Sequence, residues 1–372
     1  MPQFDVSTLL SPFKLGDLTL SNRIVMGPLT RSRSNPQGVP PSFAATYYAQ
    51  RASAGLILSE ATNISPQAKG YEYTPGIWSD AQVKSWRAVT SAVHQAGGRM
   101  FLQLWHTGRM SHPDVQEGHQ LPVSSSAIRP EGQAFTADGM KDYVTPRPLE
   151  TDEIAGVVED YRRATLNARE AGFDGVEIHA ANNYLLDQFI RDSLNKRADR
   201  YGGSVENRLR FPLEVVRAVV GAWSPNRVGI RLSPVTDMPG NTPRDSDVMG
   251  TYGTLLSALS ELGLCYLHMV EGTTQTSRDI PAGIDLQALR RRFRGAYMAN
   301  NRYTPEMAEE ATRAGHADLV AFGRPFLSNP DFVERVRRGG PFAPEPPREA
   351  WYGGGEKGYT DFPALPAATT VS

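Results

Sequence analysis

The sequence predicts an α/β fold of the (β/α)8 barrel class, and three observations carry that prediction. Short β-rich runs recur about eight times, each followed by an amphipathic segment. Most of the runs are apolar throughout, as parallel strands buried on both faces are. No break in composition divides the chain. Alternation of this kind without a break points to a parallel sheet closed on itself. At 372 residues the chain exceeds the roughly 250 typical of such a barrel, so about 120 residues of insertion are expected within one domain, 1–372.

In chain order, FKLGDLTLSNR (13–23) reads as a β-hairpin around Gly16-Asp17, expected as a lid over the barrel bottom. The strand runs are 23–29 (RIVMGPL), 55–61 (GLILSEA), 99–105 (RMFLQLW), 175–180 (GVEIHA), 228–233 (VGIRLS), 264–270 (LCYLHMV), 296–300 (AYMAN) and 319–323 (LVAFG). Helical patterns occupy 80–96, 152–171, 205–223, 248–262, 285–293, 304–314 and 330–338. Thr151-Asp152-Glu153 and Ser204-Val205-Glu206 supply start signals, and Gly97, Gly172 and Gly263 follow helix ends. The stretch 107–150, rich in Pro, Gly and Ser, is a long excursion after strand three, expected over the top face. Residues 340–372 form a C-terminal extension.

A doubly wound open sheet would place a glycine-rich turn after the first strand, where Gly-Pro-Leu-Thr-Arg stands instead. GGGEKG at 353–358 matches the spacing of a dinucleotide fingerprint but follows no strand and enters no helix.

The formal net charge of −1 and the scattered basic residues give no footprint for nucleic acid or an anionic membrane. No run approaches the ~18 consecutive apolar residues of a membrane span. The N-terminus lacks a signal-peptide pattern, which makes a cytoplasmic location the expectation. The single cysteine, Cys265, lies in an apolar run and reads as a small core residue. The histidines include no HxxxH and no cluster with acidic neighbours, so no metal is expected.

Chemistry in such barrels collects at the C-terminal ends of the strands. Those ends carry Thr30 and Arg31; Glu60, Ala61 and Thr62; Gln103, Trp105, His106 and Arg109; His179, Asn182 and Tyr184; Arg231; Asn300; and Gly323 with Arg324. Polar groups recurring at most strand ends mark a site. AFGRP (321–325) and ANNRYTPE (299–306) offer free backbone N–H groups and a cation after strands seven and eight, where phosphate is often held in this fold.

The strings GPLTRSRS (27–34), YYAQRASAGLILSEATNIS (47–65), QLWHTGR (103–109), AREAGFDGVEIHAANNYLLDQF (168–189), YGGSVENR (201–208), AFGRP (321–325) and WYGGGEKGYTDFP (351–363) resemble the Old Yellow Enzyme family. The resemblance runs in order from about Phe13 to about Pro363. It implies a TIM barrel that holds FMN and uses NADPH or NADH to reduce activated C=C bonds of enones, enals, maleimides or nitroalkenes.

By position it assigns cofactor contacts to Pro28, Thr30, Ala61, Gln103 and Arg231, and the phosphate to Asn300, Gly323 and Arg324. Thr30 would bond the flavin C4 carbonyl, Gln103 the pyrimidine edge, and Arg231 the N1–C2=O locus. His179 and Asn182 would donate to the substrate carbonyl oxygen, whose charge grows during hydride transfer. Tyr184 would protonate the α-carbon, and Tyr71, Trp105 and Tyr352 would wall the pocket. Asn182 stands where many bacterial members have His, Asn183 where Gly is common, and Ala299-Asn300 replaces a glycine-containing pair.

A nitro-compound or nitrate-ester reductase on the same flavin is the nearest alternative. A phosphorylated-metabolite isomerase or aldolase would want a lysine or carboxylate at a strand end, where only Glu60 and Glu177 stand near. A non-catalytic flavin binder would have no use for the donor pair with Tyr184. The sequence leaves oligomeric state and the choice of nicotinamide open.

Overall fold

The computed structural model describes residues 5–366, so the first four residues and 367–372 of the expected domain and extension lie outside the described residues. Eight parallel strands form the barrel: β1 (Ile24–Met26), β2 (Leu56–Leu58), β3 (Met100–Trp105), β4 (Gly175–His179), β5 (Val228–Leu232), β6 (Tyr266–Val270), β7 (Ala296–Asn300) and β8 (Leu319–Phe322). Each pairs in parallel with the next, and β8 pairs with β1, which closes the sheet. All eight coincide with the apolar runs of the sequence.

Helices follow where the 3.6-residue period places them. Asp80–Gln95 turns Val83, Trp86, Val89, Thr90 and Val93 inward, and Ser79 with Gln82 forms a capping box at its start. Ser204 caps Val205–Ala222 by accepting from the Asn207 N–H. Asp152 makes no such bond at the start of Glu153–Glu170; instead the Glu153 carboxylate takes the Glu150 N–H and the Arg147 guanidinium. Three short helices were not expected: Ala44–Ala49, Leu185–Ile190 and Pro325–Ser328. At four to six residues they are too short for a period to show in sequence. For the expected 285–293 helix, the structure has Leu286–Arg290.

The barrel bottom is closed by side chains. The antiparallel hairpin Phe13–Leu15/Leu18–Leu20 packs Leu15, Leu18 and Leu20 into one cluster with Val25, Leu56, Leu58, Phe101, Tyr266, Met298 and Leu319. Two glycines make room for its rings. A Cβ on Gly175 would lie 2.4 Å from the Phe101 ring, and one on Gly229 would lie 2.1 Å from that of Tyr266. Cys265 belongs to this cluster, and burial pushes its thiol pKa up, as suits an inert core residue.

At the top, residues 107–150 carry an antiparallel pair, Gln133–Thr136 with Gly139–Asp142, and a short parallel pair, Val123–Ser124 with Arg147–Pro148. The C-terminal extension also returns to the top. Arg31 donates to the carbonyls of Trp351, Ala350 and Gly358, and Arg33 donates to those of Gly355, Trp351 and Ala350. The GGGEKG segment therefore serves as a strap whose carbonyls are held by two arginines.

Candidate functional site

Every residue singled out as catalytic, cofactor-binding or substrate-binding, with the exception of Tyr71, lines one cavity of about 430 Å³ at the top of the barrel. That volume is in the range of small-molecule sites. Tyr71 stands behind Tyr184, its hydroxyl 3.3 Å from the Tyr184 hydroxyl.

Four rings form one end. Trp105 at the tip of β3 stacks on Tyr71 with centroids 5.5 Å apart and planes 9° from parallel. Tyr184 meets Trp105 edge-on at 4.9 Å and His179 edge-on at the same distance. Burial, with Arg231 and His268 adding to it, holds the His179 pKa well below the usual value, so the ring is neutral at pH 7. The Ala181 N–H donates to its Nδ1 at 3.3 Å, which leaves Nε2 to carry the ring proton. Burial pushes the Tyr184 phenol above its ordinary value, so it too is protonated.

The turn after β4 settles the position of Asn182. Asn182 and Asn183 both take left-handed backbone, with φ of 55° and 59°, a region Asn visits more readily than most residues. The Asn182 N–H donates to Ser233, and its Oδ1 accepts from the Thr274 hydroxyl at 2.7 Å. Its Nδ2 is left for the cavity. Asn183 is fully buried and uses its side chain: Nδ2 donates to the carbonyls of Asp237 and Pro239. Beneath the turn, the Asp187–Arg191 ion pair is completely buried. It receives the Asn183 N–H and the Tyr252 hydroxyl, and Arg191 in turn donates to the carbonyls of Thr236 and Ser233. Asn183 thus sustains the left-handed turn and adds a clamp on the 237–239 loop.

The middle of the cavity is bordered by Pro28, Leu29, Thr30, Ala61, Gln103 and Arg231. The Glu60 carboxylate accepts the N–H groups of Arg31 and Ser32, which fixes the loop bearing Thr30. Burial raises its pKa to about 7 against those bonds. Arg231 bridges to Asn300 Oδ1 at 3.0 Å, and Asn300 Nδ2 donates to the Ala321 carbonyl. The Asn300 side chain is therefore committed to joining strands, and its carbonyl accepts the Glu271 N–H.

At the far end the chain turns through Asn301 and Arg302 with φ of 107° and 55°. Arg324 lines the same end, near Glu345 and over the Trp351 ring. Asn301, Arg302, Thr274, Gln275, Tyr303 and Trp351 also border the cavity and were not picked out in the sequence. Three of them, Asn301, Arg302 and Tyr303, lie in the string ANNRYTPE, which held a signal for Asn301, since asparagine beside a strand end tolerates positive φ. The loop after β6 held none.

A flat, anionic cofactor fits this slot. Arg231 Nε and Trp105 Nε1 are buried without a protein partner, a guanidinium stands at mid-cavity, and the end that would take a phosphate is bordered by Arg302 and Arg324. Among the described residues no group of His, Cys, Asp and Glu could hold a metal, and no helix is long and apolar enough to cross a membrane.

Comparison with known proteins gives a consistent set of relatives. Residues 8–342 match the model of the NADH:flavin oxidoreductase / NADH oxidase family. A putative 12-oxophytodienoate reductase 11 of Oryza sativa subsp. japonica is 44% identical over 364 residues, 96% of this chain and 98% of the relative. The 12-oxophytodienoate reductase 2 of Arabidopsis thaliana is 42% identical, with 96% of each chain covered. Among solved structures, morphinone reductase in complex with tetrahydroNAD is 48% identical with a TM-score of 0.91, covering 97% of this chain and 98% of that one. The Old Yellow Enzyme homologue of Zymomonas mobilis is 44% identical with a TM-score of 0.92, covering 96% and 100%.

Proposed function

Because this chain belongs to the NADH:flavin oxidoreductase / NADH oxidase family, the FMN-dependent oxidoreductases of Old Yellow Enzyme type, we propose that it reduces the activated C=C bond of α,β-unsaturated carbonyl or nitro compounds. The observation that carries the reading is the placement of two neutral donors, His179 Nε2 and Asn182 Nδ2, on the cavity that Tyr184 also lines, Tyr184 packing edge-on against the His179 ring.

Thr30, Gln103, Arg231 and the Asn301–Arg302 turn would hold FMN, which would supply hydride chemistry with NADH or NADPH as the reductant. The residues of the chain do the rest. His179 and Asn182 hold the substrate oxygen and stabilise the negative charge that grows on it, which favours the transition state over the ground state. A neutral His179 is suited to this because it donates without itself releasing a proton. Tyr184, kept protonated by burial, delivers the proton to the α-carbon. Trp105 and Tyr352 orient the substrate and exclude water, and Tyr71 backs Trp105 and Tyr184 from outside the cavity. Arg231 keeps its charge at neutral pH and favours negative charge at the pyrimidine edge.

The purified protein is expected to be yellow, to bleach with NADH or NADPH without oxygen, and to regain colour on addition of 2-cyclohexenone. A colourless protein that cannot be reconstituted with FMN would overturn the reading. Colour recovered by nitro compounds but not by enones would move the activity to nitro reduction.

A further inference from the structure

One layer below the cavity floor lies a set of buried polar side chains that the reaction does not use. Glu177 on β4 is wholly buried, as is His268 on β6. They meet at 2.8 Å between Glu177 Oε2 and His268 Nδ1. Because β5 stands between their strands in the sheet, this contact runs through the barrel interior. The other carboxylate oxygen, Oε1, accepts from Gln103 Nε2 at 2.6 Å.

We propose that Glu177 is a positioning residue for the flavin: it fixes which end of the Gln103 amide meets the pyrimidine edge, and its charge offsets that of Arg231 and so holds the flavin reduction potential down. The proposal rests on the FMN reading of the cavity above.

The first part follows from hydrogen-bond chemistry. An ionised carboxylate only accepts, so the Gln103 NH2 group must face Glu177, and the amide oxygen is turned to the cavity that Gln103 lines. Gln103 thereby presents an acceptor, the complement of a ring N–H. A neutral partner at 177 would remove that constraint, since an amide there could accept or donate and Gln103 could turn over.

The second part follows from charge. Burial opposes ionisation of Glu177, but His268, Arg231 and Gln103 outweigh it and its pKa is lowered. Burial lowers the pKa of His268, so this ring enters as a neutral donor. Among the described residues Arg231 has no carboxylate within ion-pair distance, and its polar side-chain partner is Asn300. Glu177 lies on the adjacent strand, opposite Gly229 and two residues before His179, which pairs with Arg231 in the register. Two-electron reduction places negative charge on the flavin beside Arg231, and a second negative charge below opposes this in a low-dielectric interior.

The test compares wild type with Glu177→Gln and Glu177→Asp as holoenzymes, reading the midpoint potential of bound FMN, FMN affinity and thermal midpoint. Glu177→Gln should raise the potential and weaken FMN binding at least tenfold. Glu177→Asp keeps the charge but is too short to reach Gln103, so it should weaken FMN binding while leaving the potential near wild type. A folded Glu177→Gln protein with wild-type potential and affinity overturns the proposal. If Glu177→Gln does not fold, Glu177→Asp decides: affinity and potential both at wild-type values overturn it. A wild-type protein that binds no FMN would sink the functional reading itself, whereas wild-type potential and affinity in Glu177→Gln sink this inference alone.

Discussion

The two ends of this barrel are built from opposite materials. At the bottom, Leu15, Leu18 and Leu20 of the hairpin meet Leu56, Leu58, Phe101, Met298 and Leu319, an apolar plug. At the top, Arg31, His106, Arg109, His179, Asn182, Asn183, Asp187, Arg191 and Arg231 are all buried, and some of their polar atoms have no protein partner. Burial without partners costs about 1–3 kcal/mol per polar group, so the top gives up stability that the bottom and the helix-covered outer core must supply. The difference teaches where to look for each property: substitutions below should change stability and leave chemistry alone, whereas chemistry should respond only to substitutions above.

The largest expected effect is at Tyr184. Tyr184→Phe should slow reduction of a weakly activated enone by about 10²–10⁴-fold, the usual worth of a positioned general acid, while flavin reduction by NADH stays near wild type. Stopped-flow measurement of the two half-reactions checks it. Equal rates to wild type in both would show that Tyr184 is not the acid. A strongly activated nitroalkene, whose reduced form is a stable anion, should be much less affected.

At the opposite end, Leu20→Ala removes a completely buried side chain of the plug and should cost about 2–5 kcal/mol of unfolding free energy, read from denaturant curves. The folded fraction should keep wild-type kcat and KM. A change in kcat comparable to that of a site variant would break the division between the two ends.

The division also explains what was legible in the sequence. The eight strands stood out because buried parallel strands are apolar on both faces, and 175–180 or 264–270 can hardly be read otherwise. The bottom plug was legible as a hairpin around Gly16-Asp17. At the top, His179, Asn182 and Tyr184 were found because they sit at a strand end within a specific motif. Thr274 and Gln275 were missed because a polar loop carries no period, and its side chains reach the cavity only through tertiary packing. Asn300 was read for its backbone N–H, and nothing in the local sequence showed that its side chain would tie Arg231 to Ala321 across the strands. Glu177 stood in view beside His179, but its partners lie on β3 and β6, and contacts across a barrel leave no trace in local sequence.

A smaller effect tests the buried acid of the top. The Glu60 pKa is raised to about 7 in the folded chain from an ordinary 4.5, so the protonated form favours folding. Its contribution is complete below about pH 4.5 and is lost as pH rises through about 7. Glu60→Gln keeps an acceptor for the Arg31 and Ser32 N–H groups and removes the charge. Relative to wild type it should gain stability above pH 7, by about 1–3 kcal/mol at most, and its thermal midpoint should vary less between roughly pH 5 and 8. An identical pH slope in the two proteins would show that Glu60 does not titrate there.

The smallest effect is at Asn183, where the top holds backbone in an uncommon conformation. With φ of 59°, the position suits glycine sterically, and the asparagine adds only its two bonds to the Asp237 and Pro239 carbonyls. Asn183→Gly keeps the conformation and loses the clamp, so it should cost about 1 kcal/mol. Asn183→Ala loses the same clamp and must also hold a Cβ at positive φ, which adds about 1 kcal/mol or more. The two variants separate the clamp from the strain. If Asn183→Ala proves no less stable than Asn183→Gly, the left-handed turn is not what selects the residue. In that case the 237–239 loop is the whole reason for the asparagine. If Asn183→Gly instead matches wild type, the clamp contributes nothing, and the turn stands on the Asp187–Arg191 pair beneath it.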